Sequence, residues 1–149
     1  MEPIISRIGI SMAGRNEKHT VAYPGHAFDP EELRNFWELK WFYDSWEEMG
    51  LSDEDLSALQ IIIMMDPKGP PVMSGTKGLR KLRFSPESWN TGKSGALRVC
   101  YVDFQKYGLV LLSLVFPKGE LDNISAAGKK AVNAAITRIE VALQKKHGF

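Results

Sequence analysis

The sequence predicts a small α+β domain: a strand and helices first, then three consecutive antiparallel strands, then a closing helix. Three observations predict it. Residues 50–69 contain a helix start, a helical apolar stripe and a stop signal. Three short apolar runs follow, LRKLRF, ALRVCYVDF and GLVLLSLVF, separated by turn formers. Residues 125–146 again repeat apolar side chains at helical spacing. The 149 residues are 44% hydrophobic and 25% charged, the profile of one ordinary globular domain with a sizeable core.

The elements can be justified in order. Residues 1–35 read as an N-terminal extension ahead of a domain over residues 36–149. PIISRIGI suits a short strand, and the turn-rich AGRNEKHTVAYPGHAFDP lacks periodicity. In FWELKWF, Trp37, Leu39 and Trp41 alternate with Glu38 and Lys40, a strand signature. A helix from Pro30 through Met49 competes for the same residues, because Glu31, Glu32 and Leu33 suit a first turn. The favoured order is a helical turn, then this strand, then a short helix over YDSWEEM. Ser52 is placed as an N-cap, with Asp53, Glu54 and Asp55 in the electropositive first turn. Leu56, Leu59 and Ile63 recur at helical spacing, flanked by Ile62 and Met65, and Asp66-Pro67 ends the helix. The Met64-Met65 pair reads as core or partner-facing packing.

After the connector KGPPVMSGTKG, LRKLRFS is a loosely alternating strand and SPESWNTGKSG a hairpin loop. ALRVCYVDF sets Leu97, Val99 and Tyr101 against Arg98, Cys100 and Val102. GLVLLSLVF is almost wholly apolar, which predicts a central strand covered on both faces. QKYG supplies the turn between these two strands. Ser125 is a plausible N-cap for the last helix, and Val132, Ala135, Ile136, Ile139, Ala142 and Leu143 form its stripe.

Composition narrows the function. No run of about 18 apolar residues predicts a membrane helix. The first residues lack the apolar core of a secretion signal, so export is not expected. The single cysteine, Cys100, fits a reducing cytoplasm and reads as a core filler. His19, His26 and His147 are too scattered for metal-ligand spacing or an acid–base pair. Neither metal nor other cofactor is expected. The net charge is only +1, but its distribution is uneven. Residues 29–66 carry eleven acidic and two basic side chains, and residues 67–106 carry two acidic and eight basic. Such segregation leaves room for a local positive face.

The chemistry-bearing pattern lies in GTKGLRKLRFS. Lys81 and Arg83 are two residues apart and share a strand face. Arg98, on the next strand, comes opposite one or the other, and Lys118 closes the third strand. Lys93, in the hairpin loop, can join them. Like charges placed opposite each other cost energy, so an anion is expected to offset them, and phosphate is the natural candidate. RNA carries its own nucleophile, the 2′-OH. Its cleavage needs in-line placement, proton transfer and neutralisation of the phosphorane, all within reach of lysine and arginine without a metal. Spacing alone ranks a solvated or partner-binding face ahead of catalysis.

A resemblance changes that ranking. GLSDEDLSALQ, DPKGPPVMSGTKGLRKLRFS, GKSGALRVCYV and LVLLSLVFPKGELDNIS occur in the order and at the intervals seen in RelE/HigB-like toxins of bacterial type II toxin–antitoxin systems, across roughly residues 36–135. The resemblance implies a compact, partly barrel-like antiparallel sheet with two N-terminal helices and a C-terminal helix. It implies a cytoplasmic, metal-independent endoribonuclease that cuts mRNA on the ribosome and is restrained by a cognate antitoxin protein. By the same resemblance Lys81 is the base, Arg83 and Arg98 are phosphate and transition-state ligands, and Lys118 is a further stabiliser or acid. Arg80, Lys77 and Lys93 become RNA-binding candidates, with Arg80 pointing away from Lys81 and free to serve the ribosome or the antitoxin. The chain departs from the family pattern at Lys77, Ala96-Leu97, Phe116, Pro117 and Gly119, and no tyrosine follows Tyr107. Two rivals follow: a module of this fold that only docks antitoxin or RNA, and a related toxin that poisons a protein such as DNA gyrase.

Overall fold

The computed structural model describes residues 33–87, 96–119 and 124–147. Its elements are β1 (Asn35–Glu38), α1 (Lys40–Glu48), α2 (Asp53–Met65), β2 (Leu79–Phe84), β3 (Leu97–Phe104), β4 (Leu109–Pro117) and α3 (Ala126–His147). One four-stranded sheet runs β1-β4-β3-β2. β2, β3 and β4 form an antiparallel meander, whereas β1 pairs with β4 in parallel. The sheet is therefore mixed, which corrects the all-antiparallel expectation. β1 reaches the far edge before the helices carry the chain back across to β2, so its direction is not dictated by a hairpin.

Helices cover both faces. α3 lays Val132, Ala135, Ile136, Ile139 and Leu143 on one face, against Leu79, Cys100, Val102, Leu109 and Leu111. α1 and α2 cover the other with Phe42, Trp46, Leu56, Leu59 and Ile63, against Phe84, Val99, Tyr101, Val110 and Leu112. This explains the almost unbroken apolar run of β4: it is interior and sandwiched. No helix among the described residues is long and apolar enough to cross a membrane.

The first strand is shorter than its alternation predicts. β1 ends at Glu38 and α1 begins at Lys40, so Trp41 and Phe42 are helical. Phe42 and Trp46 are fully buried at helical spacing on the α1/α2 side, and that packing prevails over the two-residue period. The phase is corrected as well. Phe36 and Glu38 point into the α1/α2 side and are buried, while Trp37 packs at the margin of the α3 core. Residues 1–32 of the extension, including the expected strand PIISRIGI and the start of the helical turn at Pro30, lie outside the described residues; residues 33 and 34 are not helical, and Asn35 already belongs to β1.

The capping signals are realised. The Ser52 hydroxyl accepts from the Asp55 N–H at 3.1 Å, and Asp55 Oδ2 accepts from the Ser52 N–H at 3.1 Å, a reciprocal box. Of the methionine pair, Met64 is buried and Met65 is exposed. Ser125 Oγ accepts from the Gly128 N–H at the start of α3. Between β3 and β4 a single 3₁₀ turn over Gln105–Tyr107 ends at Gly108, whose φ of 61° suits glycine.

β4 contains one β-bulge. Cys100 pairs with Leu114 but Tyr101 pairs with Leu112, leaving Ser113 as the extra residue. Ser113 is fully buried, and its hydroxyl donates to the Leu111 carbonyl at 3.3 Å. Were Ser113 paired in the ladder instead of bulged out of it, every side chain beyond it would change face. With the bulge, Leu114 and Phe116 stay on the α3 side, as Leu109 and Leu111 are.

Candidate nucleic-acid interface

The register of β2 against β3 decides the geometry of the basic residues. Leu79 pairs with Val102, Lys81 with Cys100, and Arg83 with Arg98. Leu79, Cys100 and Val102 belong to the α3 core, so Lys81, Arg83 and Arg98 lie on that same face. Arg83 and Arg98 are direct cross-strand neighbours. Same-face residues along a strand are about 7 Å apart and cross-strand pairs about 5 Å apart, so the three cations share one small patch. Arg83 is exposed, and Lys81 and Arg98 are half-buried. The Arg98 guanidinium makes one long contact, Nη1 to the Ala96 carbonyl at 3.4 Å. Among the described residues, no carboxylate lies within ion-pair distance of Arg83 or Arg98.

Lys118 is exposed in the turn directly after β4. Arg98 pairs with Phe116, so Lys118 belongs to the same end of the sheet as Arg98 and Arg83. Phe116 is buried and gives this end an apolar floor.

Arg80 points to the opposite face, as strand alternation predicts. Its Nη1 donates to the carbonyls of Lys68 at 2.9 Å and Pro70 at 2.6 Å, which holds the proline-glycine connector against the sheet edge. Tyr101, across from Arg80, donates its hydroxyl to the Pro67 carbonyl at 2.7 Å and serves the same connector. Burial pushes the Tyr101 phenol up to about 12, with Asp103 and Asp66 adding to the rise and Arg80 opposing it. Arg80 and Tyr101 thus shape the connector that leads into β2.

Cys100 is the cross-strand neighbour of Lys81, yet burial pushes its thiol up to about 12 despite the pull of the Lys81 charge. At neutral pH it is a protonated core side chain, as its apolar neighbours in sequence indicate.

Lys77 is exposed in the turn before β2, where its backbone N–H donates to Asn133 Oδ1 of α3 at 2.9 Å. Lys93, and Trp89 in the same loop, lie outside the described residues. The sequence reading missed Lys129. Its side chain lies over Gly75, with Cδ 3.5 Å from where a Gly75 Cβ would stand. One signal could have disclosed it. Lys129 and Lys130 occupy the second turn of α3, near the positive end of the dipole, and the first turn holds no acid.

A cavity of about 480 Å³ opens between α1, the end of β4 and the start of α3. Trp41, Met49, Leu114 and Phe116 line it, and Glu48 is the one charged group lining it among the described residues. No group of three or more metal-ligating side chains gathers among the described residues. No family model matches the chain.

Proposed function

We propose that this chain is a RelE/HigB-type toxin: a cytoplasmic, metal-independent endoribonuclease that cuts mRNA on the ribosome and is restrained by an antitoxin protein. The observation that carries the reading is the register. Arg83 and Arg98 face each other across two strands with Lys81 beside them, and no carboxylate neutralises the arginines among the described residues. A fold gains nothing from such crowding, whereas a phosphodiester placed over the patch turns repulsion into charge-assisted hydrogen bonds.

The chemistry follows from residue type. Lys81 takes the proton of the 2′-OH, whose oxygen attacks the adjacent phosphorus. Arg83 and Arg98 donate to the non-bridging oxygens as charge builds on the phosphorane. The bond from phosphorus to the 5′-oxygen breaks, leaving a 2′,3′-cyclic phosphate. Lys118 donates the proton that the departing 5′-oxygen takes up. Lys77 and Lys93 extend the contact to flanking phosphates. Arg80, with its guanidinium on the connector, contributes by shaping the approach to β2.

Expression of the full chain in a bacterial host tests this directly. Growth arrest with new mRNA 5′ ends in primer extension, both abolished by Lys81→Ala with Arg83→Ala, is the expected result. Arrest that survives this double substitution removes these residues from the mechanism. Arrest without new 5′ ends favours a protein target such as gyrase over RNA. A chain that causes neither and yet binds RNA or an antitoxin is the docking module alone.

A further inference from the structure

The basic surface does not stop at the patch on β2 and β3. The turn before β2 is held by hydrogen bonds within it and from α3. Gly75 and Gly78 have φ of 76° and 88°, conformations that side chains rarely adopt. Thr76 Oγ1 donates to the Met73 carbonyl at 2.7 Å and accepts from the Leu79 N–H at 3.1 Å. From α3, Asn133 closes a two-point clamp: Oδ1 accepts from the Lys77 N–H at 2.9 Å, and Nδ2 donates to the Gly75 carbonyl at 3.0 Å.

Lys129 stands one helical turn before Asn133 and therefore on the same side of α3. Its Nζ is 3.7 Å from the position a Gly75 Cβ would take, an ordinary contact distance, so the lysine rests against this turn, and it is the positive φ of Gly75 that calls for glycine. The clamp thus ties the Lys77 backbone to α3, two residues along the turn from Gly75, over which the Lys129 side chain lies. Neither has a carboxylate within ion-pair distance among the described residues. Lys129 also stands against the helix dipole, with no acid in the first turn of α3 to compensate it. Two cations with no ion-pair partner among the described residues, one on the pinned turn and one on the helix against it, are suited to an anion.

We propose that Lys77 and Lys129, set by the Asn133 clamp, form a second phosphate subsite of the RNA interface, distinct from the Arg83/Arg98 pair. The inference rests on the nuclease reading for the identity of its ligand, single-stranded RNA. The strand then crosses the α3 face of β2 with one phosphate at the arginine pair and a flanking phosphate at the turn. Asn133 is a positioning residue that touches no RNA.

The test is binding of the full chain to a 2′-O-methyl RNA nonanucleotide, which lacks the nucleophile, followed by fluorescence anisotropy across a salt series. For a single strand, each lost phosphate contact lowers the slope of log affinity against log salt by about 0.7. The Lys77→Ala/Lys129→Ala pair is expected to lower the slope by about that amount. Arg83→Gln with Arg98→Gln is expected to lower it separately, and the quadruple variant by the sum of the two. Asn133→Ala should lower the slope as the lysine pair does, with no further loss when combined with it; a merely structural role would lower the melting temperature and leave the slope alone. Asn133→Asp, which keeps the acceptor for Lys77, serves if the alanine variant fails to fold. An unchanged slope in the lysine pair, or a wild-type chain that does not bind the oligonucleotide, overturns the subsite. A lysine-dependent slope in a chain that cleaves no mRNA retains the subsite and rejects the nuclease.

Discussion

Replacing Arg83 by glutamine should stabilise the fold while disabling it. Arg83 and Arg98 are cross-strand partners, and neither has an ion-pair partner among the described residues. Two like charges about 6 Å apart in a water-like dielectric repel by about 0.7 kcal/mol. Measured penalties for opposed like charges in sheets run from about 0.2 to 1 kcal/mol. Arg83 is exposed, so solvent screening favours the lower half of that range. Glutamine keeps the length and the polar end of the side chain and removes the charge. A gain of about 0.5 kcal/mol corresponds to a rise of about 2 °C in melting temperature for a domain of this size. Calorimetry at low ionic strength is the assay, repeated near 1 M salt, where the Debye length of about 3 Å erases the difference. Cleavage should fall about a hundredfold or more, as for the loss of one preorganised donor to a developing oxyanion. A variant less stable than wild type at low salt, or a difference indifferent to salt, would refute the premise that these cations are held together against their own repulsion.

Three further outcomes follow from the packing. Asp103 is almost fully buried, with Arg34 Nε at 3.1 Å and Lys68 Nζ at 3.3 Å. Asp103→Asn removes the buried carboxylate that Arg34 and Lys68 share and should cost about 3 kcal/mol in urea unfolding, whereas Lys68→Met, at the exposed arm, should cost less than about 1 kcal/mol. Ser52→Ala removes one half of the capping box and should cost about 1 kcal/mol in the same measurement. Cys100 and Tyr101 both have folded-state values raised to about 12, from ordinary values of 9.0 and 10.0. A raised value in the folded state means that the unfolded chain releases these protons first. Their contribution is therefore complete below about pH 9 and lost between about 9 and 12, by about 1.4 kcal/mol per pH unit for each group titrating. Unfolding followed along an alkaline series checks the window, and a native thiol that reacts freely with alkylating reagent near pH 8 would contradict it.

What the chain states locally, its sequence determines. The Ser52 box, the Asp66-Pro67 stop, the stripe of α3 and the apolar β4 are each written within a few neighbouring residues, and each physical signal acts over that range. The cations Lys81, Arg83 and Arg98 were legible as a strand pattern. That Arg83 meets Arg98, with Lys81 opposite Cys100, depends on register, which a run of residues does not carry by itself. The parallel edge at β1, the early turn into α1 and the bulge at Ser113 were likewise settled by packing. Burying Phe42 and Trp46 against the sheet outweighed a two-residue alternation, and bulging Ser113 out of the ladder keeps Leu114 and Phe116 beneath α3. Lys129 shows the same limit, because its neighbour Gly75 is 54 positions away along the chain and adjacent only in space. Local hydrogen bonding and periodicity act within a few residues; juxtaposition of distant cations exists only once two helical layers have closed on one sheet.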